Sequence, residues 1–441
     1  MTLKGMGVGA QGGVLTRPFD RTRRWQSIAV RCSLATGMLL CLNAVTRRGI
    51  AAWHFQKKTP EALQAAIRWD PHNAQYYDAL ATMRHFYADT DNPDEQVRLY
   101  QRAVSLSPQN ALYWADLGTA FDWAGNRSEA LRAFERSQGL FPASPDVNWK
   151  LANFYIRSGK TVEGLRTLRK VLLGVGVPRQ DVFALAERAT EDRKTILEEM
   201  VPKETATLIA YLNYQAGKGD ALAAEQAWSK LLALRLPFEL SEAFVYLDAL
   251  IQKRQTEQLA EAWSALADRF PQKVGSLRVT PSLVTNGSFE SDILNRGLDW
   301  RVVPIEGATV SIDSRDAVDG AQAVHIEFDG TRNVDYGHLL QYVLVRPNTR
   351  YRFSGYIRTD AITTDSGPRF QIFDAYDSGK MFAATENAIG TSGWTEQRLE
   401  FRTPLNTRLI VVRVARPPST KFDNKIRGTM WVDKLSLYAE E

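Results

Sequence analysis

Five histidines, His54, His72, His85, His325 and His338, are the only imidazoles in the 441 residues, and none stands in an H-x-x-x-H pair. The two cysteines, Cys32 and Cys41, share one apolar stretch near the N-terminus. Beyond position 41 neither a thiolate metal site nor a disulfide framework can be assembled. The chain has no phosphate-cradling G-x-x-x-x-G-K-[ST], no G-x-S-x-G nucleophile elbow and no strand-flanked G-x-G-x-x-G. Gly5, Gly7 and Gly9 lie in a basic N-terminal run that offers a phosphate no strand-to-helix turn. Glu327, Asp374 and Glu386 are carboxylates that glycoside hydrolysis could recruit, and nothing in the sequence pairs them. Asp89 to Glu95 looks like a calcium loop, but its sixth position is Asp94 instead of glycine and its twelfth is Tyr100 instead of glutamate. It reads as a solvated turn. What remains is the chemistry of binding, with no enzyme activity expected and no cofactor required.

The binding candidates come from strand parity. Tyr351 to Thr359 reads YRFSGYIRT, Phe370 to Phe373 reads FQIF, and Leu409 to Ala415 reads LIVVRVA. Successive side chains of a strand point to opposite faces. Placing Phe353, Ile357, Phe370, Ile372, Val412 and Val414 inward leaves Tyr356, Arg358, Gln371, Phe373 and Arg413 outward. Burying an unpaired arginine is costly, which supports the same choice for Arg413. If these five share one exposed face, an aromatic platform sits beside bidentate donors, a surface suited to a glycan and above all to an acidic one. The alternative is a solvated face, or one docked against the rest of the chain.

Around these strands lie the turn signals Pro347-Asn348, Ser366-Gly367-Pro368 and Ser392-Gly393, which predict an antiparallel β-sandwich over 283–441 behind a linker at 272–282. Six motifs follow one another here: LVTNGSFE from Leu283, LDWRV around Trp300, GAQAVHIEF from Gly320, QYVLVRPNTRYRFSGYIRT, SGWTEQRLEFRTP from Ser392, and TMWVDKLSLY from Thr429. The segment resembles the jelly-roll carbohydrate-binding modules of families 4 and 9, which are galactose-binding-like sandwiches. The resemblance implies carbohydrate binding, and Trp300, Trp394 and Trp431 as packing residues. It also implies a structural calcium ion held by Glu290, after the opening Asn-Gly-x-Phe, and Asp433 in the last strand. A helix or turn cap and a surface ion pair are the other reading of that pair.

The middle of the chain repeats. From Ala111, Trp114, Leu117, Gly118, Phe121, Ala130, Phe134 and Pro142 occupy relative positions 4, 7, 8, 11, 20, 24 and 32. That spacing resembles the tetratricopeptide repeat: Gly118 and Ala130 let two helices cross closely, and Pro142 stops the second. The next unit begins 34 residues on at Pro145, and an earlier one carries Leu80, Ala81, Tyr100 and Ala103. Helical repeats are expected over 59–271, clearest over 74–178 and degenerate over 180–271. Such solenoids stack around a concave groove, so a protein partner is expected there, with Tyr76, Trp123 and Trp149 as aromatics free to read a peptide.

The front end is a basic, flexible segment at 1–26 and an apolar one at 27–46, interrupted by Arg31 and followed by Arg47 and Arg48. Its length matches a single membrane-spanning signal-anchor; a cleaved signal peptide and a soluble amphipathic helix are the alternatives. Lys plus Arg number 55 and Asp plus Glu 50, so the net charge of +5 is too small and too scattered to argue for a nucleic-acid partner. The fold class expected is multi-domain α plus β, with a membrane helix, a helical solenoid and a C-terminal jelly roll. The function expected is a scaffold in the bacterial inner membrane with its body in the periplasm, acting in surface polysaccharide assembly or export.

Overall fold

The computed structural model describes residues 21–87, 93–274 and 282–440. Most of the basic N-terminal run, the acidic turn up to Asn92, and 275–281 of the expected linker lie outside these residues. The chain divides into two compact units between Val177 and Pro178.

The first unit is helical: α1 (Arg21–Gln56), α2 (Pro60–Trp69), α3 (Ala74–Tyr87), α4 (Pro93–Leu106), α5 (Ala111–Trp123), α6 (Arg127–Leu140), α7 (Pro145–Arg157) and α8 (Thr161–Leu172). Their starts are written locally. Thr59, Asn110 and Ser144 turn side-chain oxygens onto the first-turn N–H groups of α2, α5 and α7, and Pro60 and Pro145 occupy first helical positions that have no N–H to lose. The α5–α6 crossing is as close as the repeat spacing requires. A Cβ on Gly118 would sit 3.0 Å from three carbons of the Phe134 ring, while Leu117, Ala130 and Phe134 are buried beside it.

Among the described residues one helix, within Ile28–Gln56, is long and apolar enough to cross a bilayer, and none of its apolar window is buried. The helix does not end at Arg47 and Arg48. It runs on to Gln56, where Ala51 is fully buried and the Phe55 ring lies 5.1 Å from that of Tyr76. The last turns of α1 thus serve as the first helix of the repeat stack, paired with α2.

The second unit opens with α9 (Arg179–Ala189), α10 (Arg193–Thr195, continuing as a π-helical turn, Ile196–Met200), α11 (Thr205–Lys218), α12 (Ala221–Ala233), α13 (Phe244–Gln252) and α14 (Thr256–Arg269). Trp228 and Trp263 are buried between these helices. Ten strands follow: β1 (Arg301–Val302), β2 (Ala308–Asp313), β3 (Ala323–Asp329), β4 (Tyr336–Leu344), β5 (Arg350–Ile362), β6 (Arg369–Asp374), β7 (Phe382–Ala384), β8 (Gly390–Arg402), β9 (Leu409–Arg416) and β10 (Arg427–Glu440). They form two antiparallel five-stranded sheets that do not close into a barrel, one ordered β2-β3-β10-β5-β8 and the other β1-β4-β9-β6-β7. From β3 onward the chain passes repeatedly from one sheet to the other. Inward-facing side chains meet across the gap, as where the Phe353 and Phe370 rings stand 5.1 Å apart. Trp300 is fully buried in this core.

Within the second unit the helices dock on the sandwich. The Tyr376 hydroxyl donates to the Ile251 carbonyl at 2.9 Å. Asp248 of α13 pairs with Arg301 at 2.7 Å and with Arg296 at 3.4 Å.

Candidate functional site

The five residues expected on one face are divided between two. Tyr356 and Arg358 lie on β5, in the sheet of β2, β3, β10 and β8, whereas Gln371 and Phe373 lie on β6 and Arg413 on β9, in the other sheet. All five lie on the outer sides of their strands, in opposite directions for the two sheets, but the expected exposure does not hold for Gln371, which is buried at 5%. Alternation reports whether a side chain faces the core. It does not report which sheet its strand joins, and the β5–β6 connection changes sheets.

On the outer face of the β1-β4-β9-β6-β7 sheet, register builds two neighbouring rows. Leu340 and Gln371 flank Arg413, while Tyr342 and Phe373 flank Val411, and Phe382 lies beside Phe373. Arg413 donates from Nε and Nη2 to Gln371 Oε1 at 2.9 and 2.7 Å. Its guanidinium stands 4.9 Å from the centre of the Phe373 ring. Gly337 of β4 leaves it room, since a Cβ there would come within 2.8 Å of Arg413 Nη1. Among the described residues Arg413 has no ion-pair partner. Burial lowers its guanidinium pKa, with Asp335 opposing the shift. Burial also lowers the neighbouring His338, with Asp335 opposing and Arg413 helping, and its Nδ1 accepts the Gly337 N–H at 3.1 Å. Beside them the Arg301 guanidinium covers the Tyr342 ring at 5.0 Å, and the Phe382 ring is more than half exposed. The face therefore combines one exposed ring, Phe382, two rings each overlaid by a guanidinium, Phe373 and Tyr342, and a half-buried cation without a carboxylate. Tyr342 and Phe382 went unrecognised in the sequence; the alternation of Leu339, Gln341 and Val343 around Tyr342 was the signal that could have found it.

The opposite face is already satisfied. Arg358 lies 4.4 Å over the Trp431 ring and pairs with Asp316, which also accepts from Trp394 Nε1 at 3.3 Å. Trp431 Nε1 donates to Asp313 at 3.0 Å, and His325 flanks the same indole. Trp394 and Trp431 are therefore outer-face residues rather than core packing, in contrast to Trp300. Their strand neighbours Met430 and Val432 occupy the core instead.

Glu290 and Asp433 do converge on one loop. Glu290 Oε1 accepts the N–H groups of Ala321 and Gln322, both at 2.8 Å, and Asp433 Oδ2 accepts those of Val318 and Asp319 at 2.6 and 2.8 Å. Burial pushes the Asp433 carboxyl above its ordinary pKa. A hard cation wants oxygen ligands, and this loop presents N–H donors. Among the described residues no group of three or more His, Cys, Asp or Glu is placed to share a metal. As arranged, the pair clamps this loop through its backbone N–H groups.

The carboxylates suited to hydrolysis do not gather in a cleft. Glu327 is on β3 in the first sheet. Asp374, on β6 in the second, is buried and accepts from the Tyr376 and Asp377 amides and the Thr407 hydroxyl. Glu386 lies past β7 on the surface.

In the first unit, α3, α4, α5 and α7 line a cleft of about 540 Å³ whose walls include Thr82, Tyr100, Asp116, Trp123, Trp149 and Lys150. Trp123 is 55% exposed, whereas Tyr76 is buried at 5% and takes no part. Ion pairs tie successive repeats across the floor, Asp116 with Lys150 and Asp122 with Arg157 at 2.7 Å. Asp78, one helix further on, is different. Its Oδ1 is buried without a hydrogen-bond partner. Burial, with Asp116 adding and Lys150 opposing, pushes its pKa up to about 7.

No family model matches the chain. Among curated proteins it is 25% identical over 206 residues to the tRNA(Glu)-specific nuclease WapA of Bacillus subtilis subsp. natto, a match covering 44% of this chain and 8% of WapA. The chain thus spans less than a tenth of that relative's length. Solved structures similar to parts of it include a family 4 carbohydrate-binding module (15% identity, TM-score 0.27, 36% of this chain and 99% of that one). MamA is another, with 17% identity, a TM-score of 0.28, and coverage of 44% of this chain and 92% of that one. These likenesses assign no function.

Proposed function

We propose that the chain is a non-catalytic scaffold held at a bacterial inner membrane by α1, with its body in the periplasm. Its helical repeats bind a protein partner, and the outer face of the β1-β4-β9-β6-β7 sheet binds carbohydrate during surface polysaccharide assembly or export. The observation that carries the sugar reading is Arg413, cationic, without an ion-pair partner among the described residues, and laid over Phe373 beside the Tyr342 ring. A ring face takes the apolar face of a pyranose, and a guanidinium takes a carboxylate in a fork. The ligand class that uses both is a uronate-bearing or otherwise acidic polysaccharide. A second reading, in which the sandwich only docks or spaces other parts, draws on the seating of α13 against Arg301 and Tyr376. A glycan array probed with the full chain in detergent separates the two: selective retention on acidic glycans is expected, and binding to none leaves the docking role.

A further inference from the structure

Resting on the reading of α1 as the membrane anchor, we propose that the hairpin of α1 and α2 carries a site for anionic phospholipid headgroups. Arg47, Arg48 and Arg68 take the phosphates, and Trp53 and Trp69 lie in the interface. Helix length sets the depth. Trp25 and Trp53 stand 28 residues apart on one unbroken helix, about 42 Å at 1.5 Å per residue. A bilayer with its headgroups is about 40–45 Å thick, and tryptophan gathers at both of its boundaries. Both side chains are open to it, Trp25 being 71% and Trp53 57% exposed. Leu39 lies midway between them, and a hydrocarbon core of about 30 Å centred there ends near Gly49. Arg47 and Arg48 then lie at the hydrocarbon edge, from which long cationic side chains reach the phosphate layer.

The second helix comes back to this depth. Arg47 Nε donates to the Trp69 carbonyl at 3.2 Å, so the C-terminal end of α2 returns to the level of Arg47 and brings Arg68 and Trp69 with it. Trp69 is 40% exposed, although α2 buries Ala62, Leu63, Ala65 and Ala66 in the repeat stack. Arg47, Arg48, Lys57, Lys58 and Arg68 are all exposed, against Glu61 and Asp70 as the only acids between Arg47 and Asp70. Among the described residues none of these five cations is in an ion pair, and Lys57 Nζ rests 3.5 Å over the Trp53 ring. Surplus cations beside open indoles complement an anionic headgroup layer. Phosphate oxygens accept guanidinium forks, and the half-wet boundary suits an indole.

The test puts an NBD fluorophore at His72→Cys, just beyond Trp69, in the full chain carrying Cys32→Ser and Cys41→Ser. The protein is held in nanodiscs of phosphatidylcholine and phosphatidylglycerol. Quenching by 5-doxyl phosphatidylglycerol is compared with quenching by 5-doxyl phosphatidylcholine at equal mole fraction. The anionic lipid is expected to quench about twofold more strongly or better, and Arg47→Gln/Arg48→Gln/Arg68→Gln should bring the two lipids level. The same fluorophore at Leu39→Cys reads the anchor itself and should be quenched by both. Quenching at Leu39 with none at His72, or equal quenching by the two lipids at His72 in the otherwise unaltered chain, would overturn the inference while leaving α1 in the bilayer. Absence of quenching at both positions would remove the anchor reading as well.

Discussion

Asp299 shows at a single residue how the sandwich depends on pH. It is fully buried, Oδ2 accepts the Leu294 amide at 2.7 Å, and Oδ1 is buried without a hydrogen-bond partner. Burial raises its pKa from 3.8 to about 6. Between those values the folded chain holds a proton that the unfolded chain releases, so the contribution of Asp299 to stability is greatest below about pH 4 and is lost as pH rises through 6. The shift corresponds to roughly 3 kcal/mol lost by neutral pH. Asp299→Asn, which cannot ionise, should therefore melt higher than the wild type at pH 7, with the difference shrinking toward pH 4. Parallel melting curves across that range would contradict the assignment. At the same scale, Glu290 and Asp433 were legible as a pair acting on one loop, but their role was not. Spacing cannot say whether a loop will present N–H groups or carbonyls to two carboxylates. With N–H groups presented, melting in calcium and in a chelator should coincide. A rise of several degrees with calcium would mean that the loop reorganises around a cation.

Elements were more legible than sites, for a physical reason. The repeat helices announce themselves because a crossing of two helices demands small residues and a stop at fixed intervals, and those demands are local in sequence. Gly118→Val tests this: a branched side chain driven into the Phe134 ring should destabilise the first unit by about 2 kcal/mol, read by thermal melting. An unchanged melting temperature would mean the crossing can open without cost. The strands were equally visible, and parity told inward from outward correctly for Tyr356, Arg358, Gln371, Phe373 and Arg413. Their sharing of one face was not visible, because sheet membership depends on pairings between β9 and β6, or β10 and β5, that no local pattern encodes. For the same reason Trp431 read as core, although its neighbours Met430 and Val432 fill the core and leave it outside.

At the scale of the whole molecule, the proposed function assigns a surface to each unit: the groove lined by α3, α4, α5 and α7, and the outer sheet face around Arg413. The helix that could anchor the chain in a bilayer is continuous with the repeats, because α1 runs unbroken from Arg21 to Gln56. The central claim is that carbohydrate binds the Arg413 face and not the Arg358 face. The direct measurement is affinity-gel retardation of the full chain by an acidic polysaccharide, comparing Phe373→Ala/Arg413→Ala with Tyr356→Ala/Arg358→Ala. The first pair should lose binding more than about tenfold, about 1.4 kcal/mol or more, and the second should stay within about twofold of the wild type. Binding lost through the second pair and kept by the first would contradict the account.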